Sequence, residues 1–245
     1  MDVVTFFSQD QKIIANLSVP FNGAPGVIMS HGMEGSKDGA KWQLLAVKLY
    51  EAGIASLRFN YRGCGEGKDQ SEGKFEDTTL GSRIQDFKAA LDYFHGTPIN
   101  NSRLGVIGSS LGGVIAIAAW DKRIKAMVTL ATPYRLLMPT DSQLGNIQEN
   151  DYINLPTGRK IKTKFFEEMR HYDGGHDIGQ VKCPILVIHG TADEVVPVDQ
   201  SRQYYDKANE PKKLERIQGG KHSLDEPTVL QHVVDLAIDW FKRYL

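Results

Sequence analysis

The stretch Gly108-Ser109-Ser110-Leu111-Gly112 constrains this chain more than any other. Before it lies Arg103-Leu104-Gly105-Val106-Ile107, a short apolar run that reads as a buried strand. After it, Gly113 to Trp120 is almost wholly apolar and reads as a buried helix. A strand feeding a helix through Gly-x-Ser-x-Gly makes a sharp turn that strains the serine backbone and presents its oxygen above the sheet. The flanking glycines remove side chains that would clash across the turn. With Ser110 central, Gly108 and Gly112 fall at those places. With Ser109 central, the flanks would be Ile107 and Leu111, which cannot make the turn. Ser110 is therefore the expected nucleophile.

The rest of the chain alternates strands with helices. Val3 to Phe7 and Lys12 to Val19 read as an opening hairpin, and Gly26 to Ser30 as a buried third strand running into His31-Gly32. Trp42, Leu45, Ala46 and Leu49 recur at helical spacing, with Gly53 ending that helix. Ile54 to Phe59 is the next strand. A loop from Asn60 to Asp77, rich in glycine and charge, precedes an amphipathic helix marked by Ile84, Phe87, Leu91 and Phe94. Lys125 to Ala131 is a sixth strand. Regularity then breaks at Thr132-Pro133, and Tyr134 to Val181 holds one plausible helix, around Ile161 to Arg170. It is too long for a simple connection, so a functional loop is expected there. Strands at Pro184 to Ile188 and Lys213 to Ile217 enclose a helix at Gln200 to Ala208. Val229, Val233, Leu236, Ala237, Trp240 and Phe241 stripe a closing helix. This pattern predicts an α/β fold with a mainly parallel central sheet and helices on both faces.

Composition bounds the function. The 245 residues are 41% hydrophobic and 24% charged, enough for one sizeable core, with a formal net charge of −1. That balance gives no pull toward nucleic acid or an anionic membrane. No apolar run is long enough for a membrane span, and the first residues lack the basic start and apolar core of a secretory signal. Cys64 and Cys183 make no disulfide framework. A cytoplasmic protein, monomeric or homodimeric, is expected.

A serine hydroxyl needs a base to take its proton and a third group to orient that base. Of seven histidines, His222 is the best placed, in the loop Gln218-Gly219-Gly220-Lys221-His222-Ser223 between the last strand and the closing helix. Sites in parallel sheets collect at such strand ends. His189, at a strand end, reads as a brace for the acid loop, and His31 as a residue that fixes local loop shape. The acid belongs after the strand ending at Ile188. Asp193 stands there, with Glu194 and Asp199 as alternatives.

Five further stretches now matter: His31-Gly32-Met33-Glu34-Gly35-Ser36-Lys37, Phe59-Asn60-Tyr61-Arg62-Gly63, Gly73-Lys74-Phe75-Glu76-Asp77, His189-Gly190-Thr191-Ala192-Asp193 and Lys221-His222-Ser223. With the serine turn, and in this order, they resemble the serine α/β-hydrolases. The nearest likeness is to small carboxylesterases of the cinnamoyl/feruloyl esterase type. The resemblance implies a single α/β-hydrolase domain over residues 1–245, with 134–181 as a lid inserted after the sixth strand. It implies the order Ser110, Asp193, His222 for nucleophile, acid and base. The oxyanion would be held by the backbone N–H groups of Leu111, next to the nucleophile, and of Met33 in the His31-Gly32-Met33 loop.

Most of the lid's apolar residues are expected to pack it onto the body, with one or two lining the substrate pocket; Tyr134, Met138 and Tyr172 are the candidates. The implied activity is hydrolysis of a small-molecule ester, short-chain or cinnamoyl-type, through an acyl-enzyme. A thioesterase or amidase would use the same triad, although the amidases usually carry a propeller domain for which this chain has no room. A silent binding protein on the same fold is the competing class.

No cofactor or metal is implied. Gly63-Cys64-Gly65-Glu66-Gly67-Lys68 is neither a dinucleotide fingerprint, since position 68 is lysine, nor a P-loop, since Arg62 and Asp69 stand where glycine and Ser/Thr are needed. His171 to Asp177 holds donor side chains without the helical His-Glu-x-x-His spacing, and reads as a polar turn.

Overall fold

The computed structural model describes residues 1–135, 151–155 and 157–245. The chain runs β1 (Asp2–Ser8), β2 (Gln11–Ser18), β3 (Ala24–Ser30), α1 (Ala40–Glu51), β4 (Ala55–Phe59), α2 (Leu80–His95), β5 (Ile99–Ser109), α3 (Leu111–Ala118) and β6 (Ile124–Leu130). It continues through β7 (Tyr152–Asn154), β8 (Lys160–Lys162), α4 (Thr163–Arg170), α5 (Gly174–Gln180), β9 (Ile185–Gly190), α6 (Asp199–Lys207), β10 (Lys212–Ile217) and α7 (Pro227–Tyr244).

Eight strands form one sheet in the order β1-β2-β4-β3-β5-β6-β9-β10. The β1–β2 hairpin and the β2–β4 pair are antiparallel, and every other neighbour is parallel. Residues of the central strands alternate between two apolar layers. Ile28, Val106, Met127 and Val187 enter the layer that holds α2 and α3. Val27, Met29, Ile107, Val128, Leu186 and Ile188 enter the layer built by α1 and α7. That period of two is what a sheet covered on both faces requires. The stripes foreseen for α1, α2 and α7 face the core: Leu45 and Leu49, Phe87 and Phe94, Val233 and Phe241 are buried, while Ile84, Val229 and Leu236 are partly buried against it.

β3 lies between β4 and β5, so the chain first winds to one side of it and then to the other. Such a switch leaves a crevice at the carboxyl ends of the strands. The loops after β3, β5, β9 and β10 all open there.

Between β6 and β9 the described residues carry more structure than the single expected helix. Ile161 belongs to strand β8, fully buried between exposed Lys160 and half-buried Lys162, and it pairs with Ile153 of β7. The helix begins after it, at Thr163. Helix α5 follows because Asp173 caps it, its carboxylate accepting from the Gly175 and His176 N–H groups at 2.9 and 3.0 Å. The polar His171–Asp177 turn is thus a helix start. This segment is tied to the body by the Arg159 guanidinium donating to the Gly63 carbonyl (3.0 Å), by a Lys162–Asp77 ion pair, and by the Gly81 N–H donating to Glu168 (2.8 Å).

Candidate active site

Ser110 sits between β5 and α3 with φ +53° and ψ −125°. A left-handed φ at a serine is costly and persists only where the surroundings enforce it. Here they do so by close approach. A Cβ on Gly112 would lie 2.1 Å from the Ser30 carbonyl oxygen, and one on Gly108 would lie 2.5 Å from the Gly112 carbonyl oxygen. Gly113 is a third obligatory glycine, because its Cβ would meet Thr132 Oγ1 at 2.0 Å.

Ser110 Oγ lies 3.1 Å from His222 Nε2, and His222 Nδ1 lies 2.9 Å from Asp193 Oδ2 and 3.1 Å from Oδ1. A carboxylate can only accept, so Nδ1 carries the proton and Nε2 is free to accept from the Ser110 hydroxyl. The Asp193 side chain is fully buried. Burial works against its charge, but the Val196 and Val195 N–H groups, each donating at 2.8 Å, together with His222 hold it below the usual carboxylate range. Glu194 and Asp199 are absent from this chain of contacts.

His189 braces the acid loop as its position implied. Its Nε2 donates to the Val196 carbonyl at 2.9 Å and lies 3.0 Å from Asp193 Oδ2. Burial lowers its pKa, and its buried Nδ1 has no partner among the described residues, so the ring is neutral with its proton on Nε2.

The acid and base loops are fastened to each other. Ala192 N–H donates to the Gly220 carbonyl (3.0 Å) and Gly219 N–H to Thr191 Oγ1 (2.9 Å). A Cβ on Gly190 would lie 2.0 Å from the Gly220 carbonyl oxygen. The sequence carried this signal in Gly190 and in the Gly219-Gly220 pair.

The loop after β3 passes against the serine: a Cβ on Gly32 would lie 3.4 Å from Ser110 Cβ. Neither the Met33 nor the Leu111 N–H donates to a protein acceptor among the described residues. His31 shapes this loop, donating from Nδ1 to the Gly32 carbonyl at 2.8 Å and accepting from the Tyr61 N–H at Nε2. Burial, with the nearby Arg83 charge, drops its pKa to about 3.

Arg83 is a residue that sequence reasoning missed. It is fully buried on α2, its guanidinium over the Tyr61 and Phe75 rings, and its Nη2 donates to the Met33 carbonyl at 2.9 Å. An arginine within an amphipathic helix ordinarily reads as its solvated face, so no pattern marked it.

The Tyr172 and Tyr204 hydroxyls meet at 2.8 Å, and the Tyr134 ring packs edge-on against Tyr204. No hydrogen bond joins Tyr134 or Tyr172 to Ser110 or His222. Met138 lies outside the described residues. Cys64 is fully buried, 3.6 Å from Arg83 Nη2.

The buried histidines give an acid-lability prediction. His31 must stay neutral in the folded state, while the unfolded chain binds its proton below about pH 6.5. Its contribution is present above that pH and is lost as pH falls from 6.5 toward 3, at up to about 1.4 kcal/mol per unit. His189 acts in the same direction. Urea unfolding from pH 7 to 4.5 is expected to show this decline, with a shallower slope in His31→Gln.

A mainly parallel sheet wrapped by helices, with a glycine-flanked serine at a strand–helix turn and a histidine and an aspartate on later strand ends, defines an α/β-hydrolase. The chain belongs to the prolyl oligopeptidase family, whose model matches residues 40–245. It is 31% identical over 212 residues to the uncharacterized protein YfhR of Salmonella typhimurium, covering 83% of this chain and 66% of that protein. It is 27% identical over 198 residues to the human mitochondrial palmitoyl-protein thioesterase ABHD10, covering 75% of this chain and 62% of that protein. Its fold matches that of Est1E from Butyrivibrio proteoclasticus with ferulic acid bound, at TM-score 0.86 and 23% identity over 98% of both chains. No described helix is long and apolar enough to cross a membrane.

Proposed function

We propose that this protein is a serine carboxylic-ester hydrolase acting through an acyl-enzyme. The observation that carries the reading is the hydrogen-bonded series from Asp193 through His222 to Ser110, at 2.9 and 3.1 Å, ending on a strained serine. In this mechanism His222 takes the Ser110 proton as Oγ attacks the acyl carbonyl. The Leu111 and Met33 N–H groups hold the oxyanion, each such donor contributing about 3 kcal/mol in the transition state. His222 then protonates the leaving alcohol, and a water that it deprotonates releases the acid. Asp193 keeps the useful tautomer and stabilises the imidazolium. Residues 134–181 act as a lid over the site.

Short acyl esters and cinnamoyl-type esters are the favoured substrates, the latter by the likeness of fold to the ferulate-bound Est1E. The identity with ABHD10, a palmitoyl-protein thioesterase, supports a thioester as the second reading. Initial rates on p-nitrophenyl esters of rising acyl length, with methyl ferulate and a palmitoyl thioester alongside, separate the two. Faster turnover of the thioester than of every oxygen ester would overturn the first.

Asp193→Asn is expected to lower kcat by about four orders of magnitude, because an amide facing His222 Nδ1 favours the wrong tautomer. Near-normal turnover in that variant, with loss in Asp199→Asn, would move the acid to Asp199.

A further inference from the structure

Among the described residues, Lys41 is a cation beside the site that the chemistry proposed above does not use. Lys41 is the second residue of α1, on the face of the sheet opposite α3. Its Nζ donates to Ser109 Oγ at 3.1 Å and to the Ser223 carbonyl at 2.7 Å. Ser109 immediately precedes the nucleophile, and Ser223 immediately follows the base. Besides His222 itself, Lys41 is the one side chain among the described residues that hydrogen-bonds to both the serine turn and the loop carrying His222.

That loop is held at both ends. Its acid-side end is fastened by Gly219 and Gly220 to the Asp193 loop. Its other end is held by fully buried Leu224, whose N–H donates to the Lys221 carbonyl at 3.2 Å, by a contact between the exposed Ser223 hydroxyl and the exposed Asp225 carboxylate, and by the Lys41 bond to the Ser223 carbonyl. The His222 imidazole hangs between the two ends. An ammonium has three donors, so it serves Ser109 and Ser223 at once, and charge assistance strengthens both bonds.

We propose that Lys41 is a positioning residue: it pins the Ser223 carbonyl to the Ser109 hydroxyl and so sets the reach from His222 Nε2 to Ser110 Oγ. This rests on the triad reading given above. A shift of about 1 Å in a reacting pair costs on the order of a hundredfold in rate.

The ammonium's surroundings add a pH signature. From β5 it meets a neutral hydroxyl, from the His222 loop a carbonyl and the Asp225 carboxylate, and from its own helix the Trp42 ring at 5.4 Å. Burial lowers its pKa to about 8, with Asp225 opposing. The charge-assisted form is present below that pH and fades above it.

The test compares wild type, Lys41→Met, Ser109→Ala and the double variant. The readouts are kcat and KM on p-nitrophenyl acetate from pH 6 to 9, and the rate at which a fluorophosphonate labels Ser110. Lys41→Met is expected to lose about a hundredfold in kcat and in labelling rate, keep KM within about threefold, and lack the wild-type decline in kcat above pH 8. Ser109→Ala, which removes one anchor without touching the cation, is expected to lose a few-fold, and nothing further when Lys41 is already Met. A Lys41→Met protein with wild-type kcat and labelling overturns the proposal, as does full additivity of the two losses. Should Lys41→Met fail to fold, an undiminished rate in Ser109→Ala overturns it instead. Wild-type protein that does not label at Ser110 overturns the triad reading, and the proposal with it.

Discussion

Ser110→Ala is expected to abolish ester turnover, lowering kcat by about six orders of magnitude while leaving the fold intact. The scale is that of removing the nucleophile from a serine triad, where the remaining catalysis comes from oxyanion donors and binding alone. The fold survives for a local reason. Among the described residues Ser110 Oγ makes its only side-chain hydrogen bond to His222, and it belongs to neither apolar layer. An alanine at φ +53° inherits the strain already present in the wild type and adds none. The measurement is twofold: initial rates on p-nitrophenyl acetate, and intact mass after exposure to a fluorophosphonate. Wild-type protein should gain the mass of one phosphonyl adduct and the variant none. Turnover surviving in Ser110→Ala but lost in Ser109→Ala would move the nucleophile by one residue. Labelling of neither serine would favour a silent binder on a hydrolase fold.

Much of this site was legible because it is written in residues whose chemistry is scarce. Glycines at 108 and 112 around a serine fix the turn by sterics alone, and strand periodicity fixes where later loops emerge. That placed Asp193 and His222 at neighbouring strand ends before any distance was known. What escaped was of two kinds. Arg83 and Lys41 are charged residues on amphipathic helices, where periodicity assigns charge to solvent. Only the tertiary contacts with Met33, Ser109 and Ser223 reveal that they point at the site. The second kind lies between β6 and β9. Strands as short as β7 and β8 rest on a single buried pair, Ile153 with Ile161. One such pair gives too little alternation to set a period.

Gly112→Ala is expected to destabilise the fold strongly. The added Cβ would stand 2.1 Å from the Ser30 carbonyl oxygen and 2.5 Å from that of His31. Both are backbone atoms at the end of β3, a strand paired on each side, so neither can rotate away. Ser30 Oγ also donates to the Gly112 carbonyl at 2.8 Å, which ties the two segments at the point of the clash. Overpacking ordinarily costs about 1–3 kcal/mol, and a site with no flexible neighbour belongs at or beyond the upper end. At about 2–4 °C per kcal/mol for a chain of this size, the melting temperature should fall by about 6–12 °C or more. Gly179→Ala is the matched control. Gly179 lies in α5, where a Cβ would meet nothing within 4 Å, so the change should be neutral or stabilise by about 0.5–1 kcal/mol. Thermal unfolding followed by circular dichroism reads both. Equal melting temperatures in the two variants would mean that β3 and α3 do not meet at Gly112. The close approach that sets Gly32 beside Ser110 would then have to be redrawn.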